Sequence, residues 1–169
     1  VNCKCFLIEH IKNRGYGSSI STGIASSKYK NIIITDSDNT YPAKVLGKMI
    51  KSYQENNRCM VVASREGKNA RIPLVRRPAK YFLRKLASYL CSYNIRDLNS
   101  GLRIFKKKFY MKNKKLMPNR FSMTSTLTIL AAMNNHQILY QPTDYRNRIG
   151  KSSISPLKDT FRFLNLILK

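Results

Sequence analysis

Carboxylates are the scarce charged groups in this sequence: 8 Asp and Glu stand against 32 Lys and Arg, for a formal net charge of +24. Histidine is scarcer still, with only His10 and His136, and the cysteines at 3, 5, 59 and 91 form no CxxC framework at zinc spacing, which excludes a structural zinc site. Scattered thiols of this kind belong to a reducing compartment, so a cytosolic setting is expected. No run approaches the roughly 18 apolar residues that a bilayer-crossing helix requires. The layout of a signal peptide is missing at the start, where Val1 to His10 alternates as a strand does. The first residue is not Met, which fits a fragment, a processed product or a non-standard start. The glycine-punctuated stretch Asn13-Arg14-Gly15-Tyr16-Gly17 lacks both the third glycine of a dinucleotide fingerprint and the GK[ST] of a P-loop. NAD and Walker-type nucleotide sites are thereby disfavoured.

What is present describes a folded globule. The chain of 169 residues is long enough for one domain with a real core, and its 43% hydrophobic content with 10 tyrosines argues against disorder. The excess of positive charge attracts polyanions, and nucleic acid, an anionic membrane face and phosphorylated substrates all qualify; a Lys-rich bias spread over every solvated surface is the plainer source. No internal repeat or interdomain linker interrupts the chain.

Strands are expected at Val1 to Glu9, Asn31 to Thr35, Cys59 to Ser64, Leu102 to Phe105 and Ile138 to Tyr140, where short apolar runs are bounded by polar residues. Between them, helical patterns cover about Ser18 to Ser27, Pro42 or Ala43 to Glu55, Ala79 to Tyr93 and Thr124 to Met133. Strands alternating with helices predict an open sheet with covering helices. In the helix beginning at Ala79, Tyr81, Phe82, Leu83, Leu86, Tyr89 and Leu90 recur at helical spacing and are expected to face the core. Glu66 to Arg77 and Arg146 to Ser155 read as basic loops, and Thr160 to Leu168 as a short apolar helix that lies either on the core or on a membrane surface.

Asp36-Ser37-Asp38 concentrates two of the rare carboxylates directly after a strand. At the carboxyl edge of an open α/β sheet ligands bind. Two hard oxygen donors one residue apart suit a Mg²⁺ or Mn²⁺ that also holds substrate phosphates. The same residues, followed by Asn39, also suit a plain turn with a helix cap.

Asn13-Arg-Gly-Tyr-Gly, Asp36-Ser-Asp-Asn-Thr-Tyr-Pro42, Ser64-Arg65, Asp97-Leu-Asn-Ser-Gly-Leu-Arg103 and Tyr145-Arg-Asn-Arg-Ile-Gly-Lys-Ser152 together resemble, in order and over nearly the whole chain, the motifs of family 2 glycosyltransferases. Within that family they are most similar to the dolichol-phosphate mannose synthase-like branch. The resemblance implies an α/β GT-A fold, an open and mostly parallel sheet with helices on both faces. It implies a nucleotide-sugar donor, Mg²⁺ or Mn²⁺, and a polyprenyl-phosphate or glycan acceptor, with inversion at the sugar, at the cytoplasmic face of the membrane.

Carried over by residue, Asp36 and Asp38 would hold metal and diphosphate, and Asn13, Gly15 and Arg65 would complete the donor side. Asp97 would be the catalytic base for a hydroxyl acceptor, which a lipid phosphate would not need. Ser100, Gly101 and Arg103 would lie at the acceptor, and Arg148, Lys151 and Ser152, beside Gly150, would close over phosphate. The plainer alternatives are an Asp97 paired with Arg96 or Arg103, and an Arg148 that is a solvated charge. Members of the family usually begin with two further βα units, which this sequence does not contain. Ser153 stands where relatives often have Lys, and Thr126 where some have Glu. The expected organisation is a partial GT-A domain over 1–155 and a helix over 156–169. A non-catalytic remnant is the second reading, and a nucleic-acid binder, resting on charge alone, the third.

Overall fold

The computed structural model describes residues 4–56, 60–67, 77–120 and 122–146. The expected helix over 156–169 and the loop carrying Arg148, Lys151 and Ser152 lie outside the described residues, as does most of the first basic loop.

Four strands form one sheet: β1 (Asn31–Ile34), β2 (Met60–Ser64), β3 (Arg103–Lys106) and β4 (Ile138–Pro142), in spatial order β1-β3-β2-β4. β2 pairs with β4 in parallel, from Met60 opposite Ile138 to Ser64 opposite Pro142. β3 enters between β1 and β2 and runs antiparallel to both, with Ile34 and Val62 each opposite Arg103. Three of the four strands therefore share one direction, and β3 alone opposes them. All five residues of β2 are buried, as an apolar strand covered on both faces requires.

The helices cover both faces. α2 (Lys44–Asn56) presents Val45, Met49 and Tyr53, four residues apart, to one face, where they meet Val61, Ala63, Leu102 and Ile104. The opposite face carries Ile32, Ile34, Met60, Val62 and Phe105 beneath α1 (Tyr16–Ser26), α3 (Arg77–Leu90), α4 (Lys107–Lys112) and α5 (Met123–Met133). α5 is buried nearly all round its axis, including Thr124, Ser125, Thr126 and Thr128, and forms the centre of that layer. Lys107 Nζ donates to the carbonyls of Ala25 and Ser27, placing a cation where α1 exposes its last acceptors.

Two expectations need correction, and two elements were not expected. Residues 4–9 form no strand, and Phe6 and Leu7 project outward. Alternation makes a strand only where a neighbouring ladder satisfies the backbone, and no described strand pairs with this segment. The aromatic stripe of α3 does not face the core: Tyr81, Phe82, Tyr89 and Leu90 are exposed, while Ala87 is buried and Leu83 packs against the core edge. The helix carries two apolar stripes, and the smaller residues permit the closer approach to the layer beneath. α4 and the 3₁₀ turn Lys114–Leu116, neither expected, fill the Lys-rich link to α5.

Candidate active site

The direction of β3 decides where the site lies. Because it runs opposite to its neighbours, the loop that precedes it, 97–102, emerges at the edge where β1, β2 and β4 end. Thr35 to Asp38, Arg65 to Gly67, Asp97 to Gly101 and Thr143 to Arg146 thus converge on one rim.

At the centre of this rim is a buried ion pair. Arg65 Nε donates to Asp97 Oδ2 at 2.8 Å and Nη2 to Oδ1 at 2.7 Å, the two-pronged arrangement that matches guanidinium to carboxylate. The Arg65 backbone N–H adds a third bond to Asp97 Oδ2 at 3.1 Å. Asn99 closes the group, its N–H donating to Asp97 Oδ1 and its Oδ1 accepting from Arg65 Nη2. Burial alone would push the Asp97 carboxyl up, but the charge and hydrogen bonds of Arg65 outweigh it and hold the group below the usual carboxylate range. Burial would likewise lower Arg65, and Asp97 more than reverses it. Among the described residues Arg65 Nη1 makes no hydrogen bond, and the guanidinium carbon lies 5.5 Å from the centre of the Tyr145 ring.

Tyr41 ties the acidic loop to the segment before β3. Its hydroxyl shares a hydrogen bond of 2.9 Å with Ser100 Oγ and accepts another from the Gly101 N–H at 2.9 Å. Its ring meets Tyr145 edge-on at 5.3 Å. Gly101 in turn makes room for Asp36: a Cβ at this position would stand 2.7 Å from the Asp36 carboxyl carbon. Asp38 is set by Thr40, whose N–H and hydroxyl both donate to its Oδ1, at 3.2 and 2.7 Å. Both carboxylates remain half-buried at the rim. Tyr16, the first residue of α1, is pushed up to about 12 by burial and then by the Asp36 charge.

Several expected ligands have other partners. Arg103 is 0% exposed, donating through Nε to the Ser100 carbonyl at 3.1 Å and through Nη1 to the Thr124 carbonyl at 2.6 Å and Thr128 Oγ1 at 3.1 Å. It supports the Ser100-Gly101 turn from behind and presents no surface to a phosphate. Ser100 is also fully buried, against Tyr41. Asp97 as a catalytic base requires a carboxylate open to a hydroxyl, whereas both its oxygens are spent on Arg65 and Asn99. Gly15 adopts φ +92°, in the region that favours glycine, and its close neighbour is protein: a Cβ there would stand 2.6 Å from the Asn119 carbonyl. Asn13 Oδ1 accepts from the Gly15 N–H at 2.9 Å, a local turn, and the Asn119 carbonyl also takes the Ser18 N–H at the start of α1. That helix end is therefore occupied by chain, which argues against its use for phosphate.

The two carboxylates are hard oxygen donors of the kind a divalent ion takes, the Asp36 group packed against Gly101 and Asp38 held by Thr40. Among the described residues no group of three or more His, Cys, Asp or Glu could hold a metal unaided. An ion here would take its remaining ligands from phosphate and water.

The sequence model of glycosyl transferase family 2 matches residues 2–114. The chain belongs to that family. A dolichyl-phosphate hexose transferase of Haloferax volcanii is 25% identical over 144 residues, 85% of this chain and 62% of that protein. A UDP-N-acetylglucosamine--dolichyl-phosphate N-acetylglucosaminyltransferase of Methanococcus voltae is 28% identical over 177 residues, 96% of this chain and 70% of the relative. These relatives agree with the branch that the ordered motifs resemble. Among solved structures, glucosyl-3-phosphoglycerate synthase from Mycobacterium tuberculosis, in complex with uridine diphosphate, superposes with a TM-score of 0.63 at 12% identity, over 91% of this chain and 54% of that one. The GT-A fold expected from the motifs, an open and mostly parallel sheet between helices, is therefore the observed one, with β3 as the antiparallel strand that makes the sheet mixed. The chain spans 62% of the length of the Haloferax relative.

Tyr41, Asn99 and Tyr145 were not assigned roles by the sequence reading, although all three lie inside its motifs. The signal available was the placement of a hydroxyl or amide one to three residues from a motif carboxylate or arginine.

Proposed function

We propose that this chain carries the donor side of a glycosyltransferase that moves a sugar from a nucleotide-sugar to a polyprenyl phosphate, with a divalent metal and inversion at the anomeric carbon. The observation that carries the reading is the convergence of Asp36, Asp38, Arg65 and the Asp97–Gly101 loop on one sheet edge, braced by the Tyr41 hydroxyl. Asp36 and Asp38 would hold Mg²⁺ or Mn²⁺, which when bound supplies positive charge to the leaving diphosphate. Arg65 offers Nη1 to the same diphosphate while Asp97 and Asn99 fix its plane. The carboxylate of Asp97 stays ionised and committed to Arg65, which makes it a positioning group. A lipid phosphate, already ionised, is the acceptor that such a site serves best, because it asks for no base.

A second reading, a rim that binds diphosphate without turnover, is favoured by the closed Arg65–Asp97 pair, which must share its cation with the donor. Calorimetric titration of UDP and GDP with Mn²⁺, followed by assay of UDP-sugars and GDP-mannose with dolichyl phosphate, separates the two. Saturable, metal-dependent binding lost in Asp38→Asn, together with glycosyl-lipid product, supports transfer; binding without product supports the second reading. Absence of metal-dependent nucleotide binding in the wild-type chain overturns both.

A further inference from the structure

α3 turns a broad apolar face away from the protein. Tyr81 is 58% exposed, Phe82 62%, Tyr89 81% and Leu90 49%. With about 100° between successive residues, Tyr81, Lys85 and Tyr89 make one row and Phe82, Leu86 and Leu90 the row beside it. Ala87, on the far side, is buried. The sequence from Arg77 to Leu90 contains no carboxylate, and its cations are Arg77, Lys80, Arg84 and Lys85, of which Lys85 lies in the exposed row and Arg84 flanks Tyr81. Arg84 and Lys85 lie 5.5 and 5.8 Å from the centre of the Tyr81 ring, and neither pairs with a carboxylate among the described residues.

We propose that this face of α3 seats the chain on an anionic lipid surface. Tyr and Phe are side chains suited to the boundary between acyl chains and headgroups, and Lys can extend from an apolar row so that its ammonium reaches the phosphates. The charge decides between occupants. A second copy would bring its own Arg84 and Lys85 against those already present, with no carboxylate on either helix to relieve them, whereas an anionic headgroup layer complements them. The docking rests on the exposed rows of α3 and needs no donor and no turnover.

The chain contains no tryptophan, so a single introduced indole is an unambiguous probe. Tyr89→Trp is compared with Tyr29→Trp, a position 79% exposed between α1 and β1, on vesicles of phosphatidylcholine alone and of phosphatidylcholine with phosphatidylglycerol. The expected result is a blue-shifted emission and quenching by brominated acyl chains at 89 and not at 29, on the anionic vesicles only. Replacing Tyr81, Phe82 and Tyr89 together by Ser is expected to lower the fraction sedimenting with vesicles about tenfold, since interfacial binding scales with buried apolar area. The thermal midpoint should hold, because all three side chains are exposed. Lys85→Glu should weaken binding at low salt and lose its effect at high salt. The proposal is overturned if positions 29 and 89 respond alike, if the triple variant sediments as well as the parent, or if RNA displaces the protein from vesicles. It also fails if the shift at 89 appears without lipid as protein concentration rises, which would identify a second copy as the occupant. Vesicle binding is read without nucleotide, so its failure and failure of the sugar-transfer reading are told apart.

Discussion

The rim has two halves built on different principles. On one side Asp97, Ser100 and Arg103 are buried and, with the half-buried Arg65, bonded to one another or to the backbone, so that apart from Arg65 Nη1 their polar atoms are spent on holding shape. On the other, Asp36 and Asp38 stand half-buried on a short loop after β1, steered by a glycine and a threonine. The first half resists rearrangement, and the second keeps its carboxylates partly exposed. The lesson is that residues of equal chemical promise in a motif divide into those that make the site and those that brace it, and burial with partner choice decides which is which.

Substitutions test that division. Asp97→Asn should have the largest effect on stability, about 3–5 kcal/mol, because it leaves the Arg65 guanidinium buried without its counter-charge; urea unfolding measures it. Next, Tyr41→Phe should cost about 1–3 kcal/mol by stranding the Gly101 N–H and Ser100 Oγ in a buried place. Gly101→Ala should cost a similar amount, about 1–3 kcal/mol from overpacking, and should also weaken Mn²⁺-dependent UDP binding because the new methyl displaces the Asp36 carboxylate. Asp36→Asn and Asp38→Asn should alter stability least, within about 0.5 kcal/mol as for partly exposed sites, while abolishing metal-dependent nucleotide binding. If the rim substitutions destabilise as much as Asp97→Asn, the two halves are not distinct.

Acid sharpens the same contrast. The folded Asp97 carboxyl lies below its unfolded value of about 3.9, so its contribution is present above that pH and is lost as pH falls through the folded value. Thermal midpoints should therefore decline below about pH 4, and Asp97→Asn should flatten that limb.

Much of this was legible from residue order. The β2 run, the helix beginning near Pro42, and the Asp-Ser-Asp loop after a strand all express local rules, and the structure places them accordingly. The direction of β3 was not legible, since four residues of strand pattern carry no arrow. Nor was the Arg65–Asp97 pair, 32 residues apart, or the choice of Arg65 over Arg96 and Arg103 as partner. Arg96 instead pairs with Glu66. On α3 periodicity revealed a stripe but could not say which of two apolar stripes the core would accept.

The insertion of β3 between β1 and β2 also orders events in time. Residues 31 to 34 cannot join the sheet through β2, since the strand that separates them is made some seventy positions later. Bringing such distant partners together carries a loop-closure cost that nearby pairings avoid. The acidic loop and the arginine pair thus remain apart until β3 closes between its neighbours, and a nascent chain can present no assembled rim before residue 106 has emerged.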